Sequence, residues 1–291
     1  MKFTLIILLI ILFLLYIYNK SNIEKFNNQE PKVAYISAIY GNYEITCKKF
    51  VKQTIPSDFI CFTNSTNIIE NNGWIIDNTP YHNDNPNPID NNSYINSLSN
   101  NKHTFNIAKY YKQSFHLIPR LKKYDYIIWL DGTIEITSDN VSAYIIKLFN
   151  KNNIDLISWD HVERKGLLKF ETDASNFYRY TSTFWFNQHQ PYQDVNSQYD
   201  EYIKQGYDDK KWTKGGVWVT CFVAYKMSNS TIIPFLDFWY KQTLQYTTQD
   251  QIGFPFAMQK MNMKIYTLPD NNIKGDASTK TDIYIKHNHG K

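Results

Sequence analysis

The longest apolar run comes first. Phe3 to Tyr18 reads FTLIILLIILFLLYIY with no polar break, between Lys2 and Lys20. A helix of this length falls slightly short of the about 20 residues that span a bilayer, and tilt or snorkelling lysines close the gap. A signal peptide would need a small-residue cleavage site, where this run ends in bulky Tyr16 and Tyr18. A buried core helix would need a polar face. The pattern predicts a signal anchor (transmembrane helix) over 1–20, a polar linker over 21–31 and one domain over 32–291.

Beyond the linker, short apolar runs alternate with helical periodicity. Strands are predicted at Val33–Ile39, before the Gly41-Asn42 turn, and at Phe59–Phe62, Trp74–Ile76, Tyr126–Leu130, Ile154–Trp159 and Ile265–Leu268. Phe105, Ala108, Tyr111 and Phe115 recur at helical spacing and predict a helix over His103–Leu117. Others are predicted from a Ser138 or Asp139 cap through Phe149, over Thr231–Leu244 and over Asp250–Met261. Asn78–Asn101, crowded with Asn, Asp, Pro and Ser, predicts a long loop. This alternation predicts a single α/β domain with a mostly parallel central sheet. Ligands in such sheets sit beyond the carboxyl ends of the strands.

Composition narrows the partners. Aromatic residues make up 16% and charged residues 20%, which excludes a disordered chain. The net charge of +4 is scattered, with no basic stripe, so nucleic acid is not the expected partner. Cys47, Cys61 and Cys221 have no metal-ligand spacing. Cys47 and Cys61 suit either a pair in a lumenal domain or two buried free thiols. Sequons at Asn64, Asn91, Asn140 and Asn229 fit a single-pass type II protein whose domain faces the lumen of the secretory pathway, ER or Golgi.

The candidate chemistry centres on Asp131. It stands where the strand IIWL stops, and Gly132 follows. A carboxylate there is placed to meet a hard cation or a ribose, or to close the strand-to-turn junction through its own backbone. If the chain stays extended, Thr133 and Glu135 share the face of Asp131. No nucleophile elbow, H-E-x-x-H or Cys/His arrangement is present.

YDYIIWLDGTIEI resembles the core of a glycosyltransferase-like family, formerly a domain of unknown function, that includes plant turgor-regulating and mucilage-related proteins. VAYISAIYGNYE is similar to its opening strand and turn, and DFICFTN and GWIID to its next two strands. AKYYKQSFHLIPRL is similar to the basic helix before the Asp strand. SWDHVERKGLLKFET, QYDEYIKQGY and TTQDQIGFPFAMQKM resemble its later segments, in family order from about residue 32 to 268.

The resemblance implies a GT-A type, Rossmann-like fold and a hexosyltransferase-like enzyme. It would move sugar from a UDP- or GDP-sugar to a glycan or glycoprotein acceptor, with a divalent metal, Mn²⁺ or Mg²⁺. Asp131 would meet nucleotide and metal, with His287 of the terminal KHNHGK as a further metal ligand. Lys109, Lys112 and Arg164 would face the diphosphate, and His161 and Glu171 donor or acceptor. Asp250, with Gln251 beside it, would stand at the sugar end as a catalytic candidate, or only cap its helix. Thr133 departs from the expected pattern, since it takes the place of a second acid; Glu135 or His287 would then complete the metal shell, or transfer would need no metal. Two other classes remain: an inactive nucleotide-sugar or carbohydrate-binding module, and a hydrolase using carboxylates such as Asp131 and Asp250.

Overall fold

The computed structural model describes residues 11, 13, 30–41, 44–64, 68–79, 104–177, 194–212, 216–268 and 282–287. The contacts divide the chain into units of residues 1–31 and 32–291. In the first, Ile11 and Phe13 are helical and exposed; the rest of the predicted anchor lies outside the described residues, as does most of the predicted 78–101 loop. Among the described residues, no helix is long and apolar enough to cross a membrane.

The second unit is a mixed α/β fold. Its strands are β1 (Val33–Ile39), β2 (Ser57–Thr63), β3 (Ile75–Asp77), β4 (Tyr126–Leu130), β5 (Ile134–Ile136), β6 (Leu156–Asp160), β7 (Trp218–Lys226), β8 (Ile265–Leu268) and β9 (Tyr284–Lys286). Seven of them form one sheet in the order β3-β2-β1-β4-β7-β6-β8, and β5 pairs with β9 in a separate antiparallel ribbon. Within the large sheet only β7 is antiparallel to its neighbours β4 and β6. The carboxyl ends of β1 to β4 therefore lie along one edge.

The period of two along each strand divides the core. Ala34, Ile36, Ile60, Phe62, Ile127 and Trp129 face one way, into a cluster with Tyr111, Phe235, Trp239 and Phe254. These come from α1 (Thr104–Gln113), α5 (Ile232–Gln245) and α6 (Asp250–Lys260). Val33, Tyr35, Phe59, Cys61, Ile128 and Leu130 face the other way, against Val141, Ile145 and Phe149 of α2 (Val141–Lys151) and Ile134, Ile136 and Tyr284 of the ribbon. A third cluster joins α6 to α3 (Leu168–Ser175) and α4 (Val195–Lys204) through Leu168, Tyr202, Ile252 and Phe256.

Two local expectations are corrected. The first helix ends at Gln113, and Phe115–Leu117 continues as a separate 3₁₀ turn. The second begins after Asn140, with no side-chain cap; Ser138 Oγ accepts from the Asn140 N–H at 3.3 Å, two residues too early to cap α2.

Candidate functional site

At the end of β4 the chain does not stay extended. The Ile134 N–H donates back to Asp131 O at 2.9 Å, making a turn through Gly132 and Thr133. The turn packs tightly on β1, since a Cβ at Gly132 would lie 3.2 Å from Ile39 Cγ1. Thr133 is buried, with an Oγ1 that has no partner, so it does not share the face of Asp131 as an extended chain would require. The Asp131 N–H is fixed on Cys221 O of β7 at 2.9 Å.

The Asp131 carboxylate is the most open part of a charged network. Its Oδ1 accepts from Trp129 Nε1 at 2.7 Å and from Lys112 Nζ at 3.1 Å. Lys112 Nζ also lies 2.5 Å from Asp250 Oδ2 and donates to Thr220 Oγ1 at 3.3 Å. Thr220 Oγ1 donates to Asp250 Oδ2 at 2.9 Å, and Lys109 Nζ donates to Asp250 Oδ1 at 2.6 Å. Trp239 Nε1 holds the Asp250 carbonyl at 3.0 Å. Lys109 and Lys112 reach the same acids because residues three apart share a face of α1. Asp250 opens α6 but does not cap it; its carboxylate turns to the lysines, and its place in the first turn adds a favourable dipole.

Exposure divides the labour. The Lys112 side chain is 1% exposed and Asp250 10%, whereas Lys109 is 21% and Asp131 38% exposed. A ligand arriving at the sheet edge would meet Asp131 and Lys109, with Lys112 and Asp250 behind them. Burial alone would raise both carboxyls, but Lys112 and Lys109 outweigh it and hold Asp131 and Asp250 below the usual carboxylate range. Burial wins at Lys109, which is lowered despite Asp250. At Lys112 the two acids win against burial and raise it.

The other expected residues form two further groups. Arg164 Nε donates to Glu171 Oε2 at 2.6 Å, Ser175 Oγ donates to Glu171 Oε1 at 3.1 Å, and His161 Nε2 lies 3.8 Å from Glu171 Oε2. Burial, then Arg164 and Lys286, push His161 down to about 3. The segment is locked in place where Gly166 and Gly216 cross, since a Cβ on Gly216 would meet Gly166 O at 2.3 Å. The third group is His287 Nε2 on Glu135 Oε2 at 2.7 Å, with the His287 N–H on Thr133 O at 2.9 Å. Among the described residues no hydrogen bond or ion pair joins these three groups. Gln251, half-buried, stands beside Asp250 outside the network.

Donors for a divalent cation are few. Asp131 Oδ2 is open among the described residues, Glu135 and His287 hold each other, and no three His, Cys, Asp or Glu side chains converge there. As they stand, these side chains do not fit a Mn²⁺ or Mg²⁺ shell on Asp131 and His287. Two of the side chains that bond to the carboxylates of Asp131 and Asp250 were not expected from the sequence. Trp129 had a signal, because on a strand it shares the face of Asp131 two residues on; Thr220 lies on β7, far away in sequence.

No family model and no curated protein matches this chain. Solved structures similar to it include three glycosyltransferases. Mouse xyloside xylosyltransferase 1 is 7% identical, with a TM-score of 0.43 over 82% of this chain and 84% of that one. The mannosyltransferase Ktr4p of S. cerevisiae is 12% identical, with a TM-score of 0.38 over 82% and 69%. The bifunctional glycosyltransferase WbbM is 11% identical, with a TM-score of 0.42 over 82% of this chain and 39% of its own.

Proposed function

We propose that the chain is a glycosyltransferase that takes sugar from a UDP- or GDP-sugar at the carboxyl edge of β1 to β4 and passes it to a glycan or glycoprotein acceptor. The observation that carries this reading is Lys112, buried between the carboxylates of Asp131 and Asp250. A buried ion network costs desolvation that apolar packing would avoid, and such networks concentrate at functional sites. Here it ends in one open carboxylate and one part-exposed ammonium at the edge where α/β sheets bind ligands.

The chemistry follows from the charge states. An acceptor oxygen attacks the anomeric carbon, the bond to the diphosphate oxygen breaks, and the nucleoside diphosphate leaves with the electron pair. Asp131, ionised, accepts hydrogen bonds from ribose or sugar hydroxyls. Lys109 offsets charge developing on the diphosphate, and Arg164, swung from Glu171, is a second cation for it. Lys112 holds the two acids in place and is a positioning residue. Asp250 and Gln251 stand at the sugar end. The hydrolase alternative is disfavoured, because it needs one carboxyl raised enough to donate a proton, and both acids are lowered.

The apolar run at 3–18 supports a type II anchor with the domain in the lumen of the secretory pathway. The test is to incubate full-length protein in detergent with a panel of nucleotide sugars, with and without Mn²⁺, and assay released UDP or GDP. Turnover of a donor is expected; binding without release would favour the inactive module, and the absence of both binding and release would overturn the proposal.

A further inference from the structure

Cys47 and Cys61 meet in the wall of the cleft beside Asp131. Cys47 lies in the segment after β1, where its N–H donates to Glu70 O at 3.1 Å and its carbonyl accepts from Asn72 Nδ2 at 2.6 Å. Cys61 sits in the middle of β2, in register with Ser37 of β1. Both thiols are free and buried, and they line one small cleft with Ser37, Lys48, Asp131 and Gly132. Cys221 is also buried, and burial pushes its thiol up to about 11.

We propose that Cys47 and Cys61 are a redox modification site, a dithiol that closes to an intramolecular disulfide by exchange with a small disulfide such as oxidised glutathione. The two thiols divide the chemistry. Hydrogen bonding from Cys61, aided by Lys48 and against burial, lowers Cys47, whereas that bond and burial raise Cys61. Cys47 is therefore the attacking thiolate. Its sulfur bonds to one sulfur of glutathione disulfide, the glutathione S–S bond breaks, and the first glutathione leaves as a thiolate that takes up a proton. Cys61 then gives up its proton and attacks the Cys47 sulfur, displacing the second glutathione. Two electrons and two protons pass from the cysteine pair to the glutathione disulfide. The product ties the segment after β1 to β2 next to the turn that carries Asp131.

The test needs no sugar donor, so it stands or falls separately from the transferase reading. Full-length protein in detergent is incubated with excess oxidised glutathione, unfolded in an alkylating agent and analysed by intact mass and peptide mapping. The expected result is one alkylated cysteine, Cys221, a mass lower by two hydrogens before alkylation, and a Cys47–Cys61 linked peptide that dithiothreitol removes. Cys61→Ala is expected to stop at glutathione on Cys47, and Cys47→Ala to take up none on Cys61. Three alkylatable cysteines after incubation, or glutathione retained on both Cys47 and Cys61 of the wild type, would overturn the proposal.

Discussion

Lys112 Nζ lies 2.5 Å from Asp250 Oδ2, joining α1, which precedes β4, to α6, which precedes β8. The same ammonium is 3.1 Å from Asp131, so one buried cation neutralises two acids from distant parts of the chain. Removing it leaves the buried Asp250 carboxylate with one cation, Lys109, and one neutral donor, Thr220. Lys112→Met is expected to destabilise the fold by about 3–5 kcal/mol, the usual cost of breaking a buried pair. Urea unfolding at pH 7 measures this, and a loss below about 1 kcal/mol, the level of an exposed pair, would contradict it.

His161 gives stability a specific pH window. Its folded pKa of about 3 lies below the ordinary 6.5, so the unfolded chain takes up a proton that the folded chain refuses. This contribution is full above pH 6.5 and is lost as pH falls toward 3. Asp131 and Asp250 act in a lower window, because their stabilisation is lost only below the ordinary carboxylate range. His161→Asn is expected to flatten the fall in unfolding free energy between pH 6.5 and about 4.5. A slope equal to that of the wild type would show that His161 does not cause it.

The crossing of Gly166 and Gly216 separates two glycines that look alike in sequence. Gly216 has φ +120° and its Cβ would meet Gly166 O at 2.3 Å, whereas Gly206 has φ +82° with nothing within 4 Å. Gly206→Ala is expected to cost only the left-handed backbone, about 1–2 kcal/mol. Gly216→Ala adds a backbone collision that no side-chain movement relieves. It should lower the melting temperature more than Gly206→Ala does; equal shifts would contradict the crossing.

Lys109 is the part-exposed cation of the network, and Gln in its place keeps the length without the charge. In the proposed reaction Lys109→Gln lowers the rate of nucleoside diphosphate release by about tenfold or more, through one lost charge-assisted hydrogen bond to the leaving group. An unchanged rate with the best donor of the panel would remove Lys109 from the site.

The strands legible in the sequence are those that interrupt polar chain with unbroken apolar runs. Val33–Ile39, Tyr126–Leu130 and Ile265–Leu268 are found at their predicted bounds. Strand β7 is not among the expected elements, although WVTCFVAYK is rich in β-branched and aromatic residues. A strand–helix alternation leaves no place for an antiparallel strand in the middle of the sheet, and with β7 went Thr220. Asp131 was legible because a strand that stops at an acid and a glycine is a local signal. Its partnership with Asp250 was not, since it depends on α1 and α6 packing over the same sheet face, and Asp250 read locally as a cap. The turn at Gly132 and Thr133 was hidden for a related reason: the tight fit of Gly132 against Ile39 is a contact with β1, not with its neighbours in sequence.

The proposal that Asp131 opens onto a nucleotide-sugar site is tested most directly by calorimetric titration of UDP and GDP into full-length protein and its Asp131→Asn variant. Because the Asp131 side chain is 38% exposed, the variant is expected to fold. The wild type should bind one of the two nucleotides, and the variant should bind it at least about tenfold more weakly, the loss of one hydrogen bond to a charged group. Equal binding by both proteins, or binding by neither, would contradict the assignment of Asp131.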